Sequence, residues 1–526
     1  MEFRTTFHRS SEALDLINSV EFVSQWKRLG EKQVGFCCMQ EADILVNWYR
    51  KYASVFEPVI FTAFNESDEL IGFLGMIWDE KDGELRHAGH PEYHGWLIKP
   101  GSETVFLKNV LCLMRDNFPI KKILWAALSP GLSIKTLEAA LDDGMYISTK
   151  KSNSPLWDLT DEEKLKKFQK SRSLRSKFNR YNKRGELRFE VITDSERLND
   201  VFKIVENQIN FRHEAVNNVR PFVNDPIRIG LFVEQMKIPN TILPVSLWLD
   251  DQLLAFQLGF VSGDYVSLRM ISFDPSESRQ SPGTLLFIKM GEYLTENGFR
   301  IYDMTPGLNT YKDRFGNKML DIDIPTIYFS KTSFRKSVLQ QKLVSSSRKL
   351  VVEKMGVDIN ATRKWRKNLQ ELPTKVKKNG LGLITKVFAP QIEPIQLIQF
   401  DRKKMDRPTT RFTKVRKQAY EDLLNYQDTS PFITNRELLM DAQRKFAKGD
   451  VLYSVAEDGK LLWYVWQKKV SGEVEVKNQK IPIEQEGILL YDLYQLSSLN
   501  GKGFKKIEEV VPLLEIEETL PIYLIN

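Results

Sequence analysis

The sequence predicts an α/β (α+β) protein of several modules, with mixed, mostly antiparallel central sheets flanked by helices. At 526 residues it exceeds one domain, and roughly 150 residues per domain gives three to four modules. Short apolar runs bounded by turn residues alternate with stretches of helical apolar spacing. Hydrophobic residues at 42% and charged residues at 28% match ordinary folded chains, which excludes wholesale disorder and fibrous architectures.

The elements follow in order. Gln40 to Tyr52 has a helical pattern, and Phe56–Phe64 with Leu70–Trp78, separated by Glu66-Ser-Asp-Glu69, read as a β-hairpin. Val105 to Phe118 is helical and Ile120 to Ala127 a strand. Thr160 to Arg184 reads as one basic helix with no acid after Glu163. A strand at Leu187–Thr193 follows, then helices at Glu196–Phe211 and Arg228–Met236. Strands come next at Thr241–Leu249, Leu253–Ser262 and Tyr265–Phe273. Gly283 to Asn297 is a helix stopped by Gly298, and Phe299–Met304 is the next strand. Lys331 to Lys378 is dominated by Lys and Arg. Beyond it, helical text at Tyr420–Tyr426 and Asn435–Ala447 precedes strands at Val451–Ala456, Leu461–Lys468 and Ile488–Leu496.

Charge and cysteines limit the function classes. Lys plus Arg number 76 against 69 Asp plus Glu, and a net charge of +7 is too mild to make nucleic acid the default partner, although it permits a phosphorylated ligand or an anionic membrane face. Cys37, Cys38 and Cys112 build neither a disulfide framework nor a zinc ribbon, which points to a reducing compartment. No signal-peptide core or membrane-length apolar run is present, so the expected location is the cytoplasm, without a transmembrane segment.

The run Gln280-Ser-Pro-Gly-Thr-Leu-Leu-Phe-Ile-Lys289 lies between a strand and a helix, with Pro282 and Gly283 opening the helix. Gly283 lets backbone N–H groups approach an anion at the positive end of a helix, where a diphosphate would sit well. An ordinary strand-to-helix turn with proline at its first position accounts for the same residues. Asp303, at the carboxyl end of a strand, is a candidate base, or a cap of the next turn. Arg212 and His213, ending the helix Glu196–Phe211, are candidate acceptor-binding residues, although cations complementing a helix C-terminus explain them too. His87, His90 and His94 with Glu92 have the composition of a metal cluster. Gly89 and Pro91 break the helix that would align them, so no metal is expected.

The order strand, Gln280-x-x-Gly283 loop, helix, strand resembles the pyrophosphate loop of the GNAT acyltransferase superfamily, whose usual pattern is Gln/Arg-x-x-Gly-x-Gly/Ala. Here Leu285 stands in place of the last glycine. Tyr302-Asp303, Gly307 and Asn309-Thr-Tyr-Lys-Asp-Arg-Phe-Gly316, with the basic helix before them, resemble the FemAB-type and CelD-type branch. The likeness covers roughly Asp158 to Thr326 well and the first 150 residues more loosely. It implies tandem GNAT-like folds, with acyl-CoA, most simply acetyl-CoA, held at Gln280, Ser281, Pro282, Gly283 and Thr284. It further implies Tyr311 as the acid for the leaving thiolate and Lys312 as oxyanion stabiliser or acceptor anchor; a packed tyrosine and a solvated lysine are the plainer accounts. Ser498-x-x-Gly501-Lys-Gly503, after the strand Ile488–Leu496 and before Pro521–Ile525, echoes the same loop.

The expected organisation is therefore an N-terminal GNAT-like half (1–158), a central acyltransferase domain (159–330), a basic helical linker (331–390) and a C-terminal GNAT-like module (391–526). The expected activity is acyl transfer from acyl-CoA to an amine or hydroxyl of a saccharide or cell-envelope precursor. Two alternatives stand beside it: aminoacyl transfer from charged tRNA, the one reading with a nucleic-acid partner, and a non-catalytic scaffold in polysaccharide assembly.

Overall fold

The computed structural model describes residues 3–31, 40–90, 92–307, 310–339, 397–400, 415–427, 433–476, 479–496, 507–516 and 520–525. Two compact units divide the chain. One draws on Met1–Phe202, Asp225–Ile271 and Gly283–Gly356, the other on Lys203–Asn224, Ser272–Pro282 and Val357–Asn526.

The first unit contains two sheets. In one, β1 (Arg4–Arg9), β2 (Glu57–Phe64), β3 (Leu70–Asp79) and β4 (Glu84–His87) run in that order, with the short β5 (Leu97–Ile98) against β3, and every pairing is antiparallel. The expected hairpin is β2–β3. Side chains alternate across a strand, so Val59, Phe61 and Ala63 enter one core while Ile60 enters another. The core around Ile60 is closed by α1 (Ser10–Asn18), α2 (Val20–Glu31) and α3 (Ala42–Tyr52), and the other by α4 (Glu103–Asn117) and α5 (Ile134–Ala139).

The second sheet has eight strands: β6 (Lys122–Leu124), β7 (Tyr146–Asp158), β8 (Leu187–Val191), β9 (Ile242–Leu249), β10 (Gln252–Ser262), β11 (Tyr265–Phe273), β12 (Ile301–Asp303) and β13 (Lys318–Tyr328). They lie in the order β6-β13-β7-β12-β11-β10-β9-β8. Only β11 and β12 run parallel, as Tyr265 faces Ile301, Val266 faces Tyr302 and Ser267 faces Asp303. A parallel neighbour needs a crossover. Here it includes α11 (Pro282–Glu296), with Pro282 at its start and Gly298 past its end at φ 78°. Leu285, at the position of the missing glycine, is fully buried.

Two expected helices differ from the structure. The basic helix is two helices, α6 (Glu162–Lys170) and α7 (Arg172–Asn182), because Ser171 leaves helical geometry at φ −66°, ψ 117° and its hydroxyl accepts from the Leu174 N–H, capping α7. The helix expected to end at Phe211 is α8 (Ser195–Asn217). Arg212 and His213 thus lie inside it, where they cannot complement its end. The short α9 (Pro221–Asn224) belongs to the second unit, whereas α10 (Ile227–Gln235) and α12 (Thr310–Phe315) are further helices of the first.

Gly291 marks a close approach. A Cβ on it would collide with the indole ring of Trp157, which is fully buried against Phe168 and Phe315. Gly291→Ala is expected to cost about 1–3 kcal/mol by overpacking, despite the better helix propensity of alanine. A denaturation midpoint equal to wild type would show that Trp157 moves freely.

In the second unit, β14 (Leu397–Phe400), β15 (Arg416–Lys417), β16 (Val451–Glu457), β17 (Lys460–Val476), β18 (Gln479–Gln495) and β19 (Ile522–Ile525) form a sheet ordered β14-β19-β18-β17-β16-β15. It again has one parallel pair, β18 with β19, and β19 is the strand expected at Pro521–Ile525. The helix α13 (Asn435–Lys448) starts in a capping box between Thr434 and Glu437 and ends at Gly449 with φ 89°. The Ser498–Gly503 echo lies outside the described residues, as do Cys37, Cys38 and residues 340–390.

Candidate active site

The parallel pair in the first unit fixes where chemistry can gather. β12 stops at Asp303 while β11 continues to Phe273, so the carboxyl end of a central strand opens beside a longer neighbour. Crevices beyond the carboxyl ends of parallel strands are where ligands bind in α/β sheets.

Asp303 is completely buried at this end. Its Oδ1 accepts from Ser154 Oγ on β7 at 2.9 Å and from the Thr305 N–H at 2.6 Å, and its Oδ2 accepts from the Tyr265 hydroxyl on β11 at 2.5 Å. Burial pushes its pKa above the usual carboxylate range, and the hydrogen bonds from Tyr265, Tyr93, Thr305 and Ser154 oppose that rise. Thr305 sits at φ 62°, a left-handed conformation strained for a β-branched residue, and the Asp303 contact holds it there.

Lys312 on α12 is only 7% exposed, not a solvated lysine. Its Nζ donates to the Thr305 carbonyl at 3.0 Å and to Thr305 Oγ1 at 3.4 Å. Burial lowers its pKa, while the negative charges of Asp303 and Glu92 act in the opposite sense. Tyr311 belongs to the same helix, and its side chain lies outside the described residues.

The third charge, Glu92, comes from the loop after β4. Its Oε1 pairs with Arg269 of β11, whose Nε donates to His90 Nδ1 at 3.2 Å. Arg269 stands two residues past Ser267, the last position paired with β12, so the ion pair lies on the part of β11 that β12 leaves uncovered. Glu92, Tyr93, Ser154, Tyr265, Thr305 and Arg269 were not read from the sequence as part of this site. Ser154 and Asp303 are 149 residues apart, and only strand pairing joins them.

The remaining candidates lie on other elements of the chain. A 3-10 turn, Pro275–Gln280, ends at Ser281, which is left-handed at φ 57° and turns the chain into α11. Pro282 and Gly283 are buried; Gln280, Ser281 and Thr284 are partly exposed. The first N–H groups of α11 have no carbonyl within the helix to bond, so with the Thr284 hydroxyl they form a donor set suited to a diphosphate. Arg212 and His213 are half-buried on the stretch of α8 that belongs to the second unit, whereas Asp303 and Lys312 belong to the first.

His87, His90 and His94 are buried in aromatic surroundings. His87 stacks on His94 at 4.6 Å and meets Trp125 at 4.5 Å, and His90 stacks on Phe232 at 5.5 Å. Among the described residues no group of three or more His, Cys, Asp or Glu side chains is arranged to hold a metal ion. Nor is any described helix long and apolar enough to cross a membrane.

Residues 169–313 match the Acetyltransferase (GNAT) domain family. That span runs from the end of α6 into α12 and contains Gln280–Thr284, Asp303 and Lys312. No curated protein matches the sequence. Solved structures similar to the chain include a tandem GNAT protein from the clavulanic acid biosynthesis pathway, at 13% identity over 62% of this chain and 98% of that one, TM-score 0.39. The structure of L-PGS from Bacillus licheniformis is similar at 12% identity over 61% and 96%, TM-score 0.39. FemX is similar at 12% over 57% and 95%, TM-score 0.39.

Proposed function

We propose that this chain is an acyltransferase that moves an acyl group, most simply acetyl, from acyl-CoA to an amine or hydroxyl of a saccharide or cell-envelope precursor. The observation that carries the reading is the convergence of Lys312 and Asp303, through the strained Thr305, on the carboxyl end of β12 within the span that matches the GNAT domain family. The attacking amine or hydroxyl forms the new C–N or C–O bond and gives up its proton to solvent water while the C–S bond of the thioester breaks, so the chain must orient the two reactants, stabilise the oxyanion formed on attack and protonate the leaving thiolate. Gln280, Ser281, Pro282, Gly283 and Thr284 hold the diphosphate at the start of α11 in this reading. Lys312, fixed by two hydrogen bonds to Thr305, offers its remaining N–H to the oxyanion. Asp303 accepts hydrogen bonds from Ser154, Tyr265 and Thr305, among others, and has no exposure, so it positions Thr305 and balances the Lys312 charge instead of meeting the acceptor. Tyr311 protonates the leaving thiolate; Arg212 and His213, in the other unit, take no part in this reading.

Thermal denaturation with acetyl-CoA and with free CoA tests the donor. At about 100 times Kd a ligand adds ~2.7 kcal/mol, and no shift up to about 1 mM, where a site of ~10 µM is saturated, would end the CoA reading. In Lys312→Met the CoA-dependent shift should persist while CoA release with a panel of amino sugars falls about 10²- to 10³-fold, the loss typical of a missing oxyanion donor. Equal rates in this variant would remove Lys312 from the mechanism.

A further inference from the structure

The net charge of +7, spread over 526 residues, conceals a local concentration. Residues 164–184 contain ten Lys and Arg, and residues 164–185 contain no Asp or Glu. The break at Ser171 turns this run into two helices and thereby sorts its cations. On α7 and its C-cap, Arg172, Arg175, Ser176, Asn179, Arg180 and Lys183 recur at three- and four-residue steps and so share one face. They line an open cleft of about 440 Å³. From Arg172 to Lys183 the stripe runs about 16 Å along the helix axis.

We propose that this face of α7 is a docking surface for the phosphodiester backbone of a nucleic acid, bound without regard to base sequence. Three of its four cations are arginines, whose planar fork bonds a phosphate through two N–H groups at once. Ser176 and Asn179, between them, add uncharged hydrogen-bonding groups of the kind that contact phosphate and sugar. No aromatic residue lies on the stripe, so it offers no platform on which bases stack, and recognition stops at the backbone. The same face suits a bilayer poorly. A helix lying in a membrane interface buries an apolar face there, and the apolar residues of these helices are turned inward: Tyr181 is fully buried, Phe168 packs on Trp157 and Phe315, and Phe178 lies beneath Lys289. None of the exposed large hydrophobic residues belongs to α6 or α7. This inference is independent of which donor the β12 site uses.

The full chain should be titrated into a labelled RNA duplex of about two helical turns, with fluorescence anisotropy read at several salt concentrations. Four phosphate contacts predict that affinity falls roughly 50- to 150-fold between about 50 and 200 mM salt. The variant Arg172→Gln/Arg175→Gln/Arg180→Gln/Lys183→Gln should lose that dependence and bind at least tenfold more weakly at the low-salt end. A control, Lys81→Gln/Lys99→Gln/Lys121→Gln/Lys135→Gln, removes the same charge from exposed positions elsewhere and should bind as wild type does. Unchanged circular dichroism in both variants confirms that only the surface has changed. The proposal is overturned if RNA does not bind at about 50 mM salt, or if both variants weaken equally. Capture by phosphatidylcholine vesicles containing phosphatidylglycerol, without binding to RNA, would also overturn it.

Discussion

Asp303→Ala is expected to destabilise the first unit by about 3–5 kcal/mol, since several buried donors lose their acceptor at once. The reason lies in what the carboxylate serves. Ser154 Oγ, the Tyr265 hydroxyl and the Thr305 N–H all donate to it, and each buried donor left without an acceptor costs about 1–3 kcal/mol. Thr305 would lose the contact that holds its left-handed backbone, and Lys312 would lose the Asp303 charge that favours its ammonium form. Asp303→Asn retains the volume and one acceptor oxygen, so it should cost less than half as much. Chemical denaturation reads both as midpoint shifts at constant slope. A cost below about 1 kcal/mol for Asp303→Ala would mean that this network is not the keystone of the strand end.

Acidification should destabilise the first unit well before its carboxylates titrate, with a loss of roughly 4 kcal/mol between pH 8 and pH 5.5. Burial holds the pKa of His94 down to about 3 and those of His87 and His90 well below the ordinary imidazole value. Neighbours add to this: His94 acts on His87, and Arg269, Arg228 and His94 act on His90. The sign follows from proton counts. Below about pH 6.5 the unfolded chain protonates these three imidazoles and the folded chain does not, so stability is present above that pH and is lost as pH falls. Glu57 beside Arg9, Glu190 beside Arg197 and Asp158 beside Lys318 have lowered pKa values, and their contributions are lost only in the carboxylate range below about 4.5. Asp303 and Glu41, both raised by burial, work in the opposite direction, and His8, lowered by burial, adds to the loss. Both ring nitrogens of His87 are buried without a hydrogen-bond partner, so His87→Phe should be near neutral at pH 8 and should remove about a third of the pH dependence. Flat stability from pH 8 to 5.5 would refute the assignment of these rings as neutral and buried.

What could be read from the chain alone was whatever depends on neighbours a few residues away. The β2–β3 and β9–β10 hairpins, the helix opened by Pro282 and closed by Gly298, and the helix Asn435–Lys448 all carry local periods and stop signals. The long β7 and β13 carry none. Lys150, Lys151 and Asn153 make β7 read as a polar segment, and it becomes a strand because eleven residue pairs, Leu156 with Lys318 through Tyr146 with Tyr328, join it to β13. The break between α6 and α7 was equally hidden, since cations run unbroken across Ser171 and the cap is a single hydroxyl.

The site divides along the same line. Asp303 and Lys312 are nine residues apart; Asp303 was legible as a strand end and Lys312 through the family resemblance, whereas the helix that carries Lys312 was not. Their burial was not, nor were Ser154, Tyr265, Tyr93, Glu92 and Arg269, which reach the same point only because β12 is flanked by β7 and β11 in fixed register. Sequence determined the short-range order of strand, loop, helix and strand, because those choices are set within a turn or two by side-chain period and backbone constraint. Tertiary structure alone decided which charges share a low-dielectric space, because strand pairing sets that distance regardless of separation along the chain.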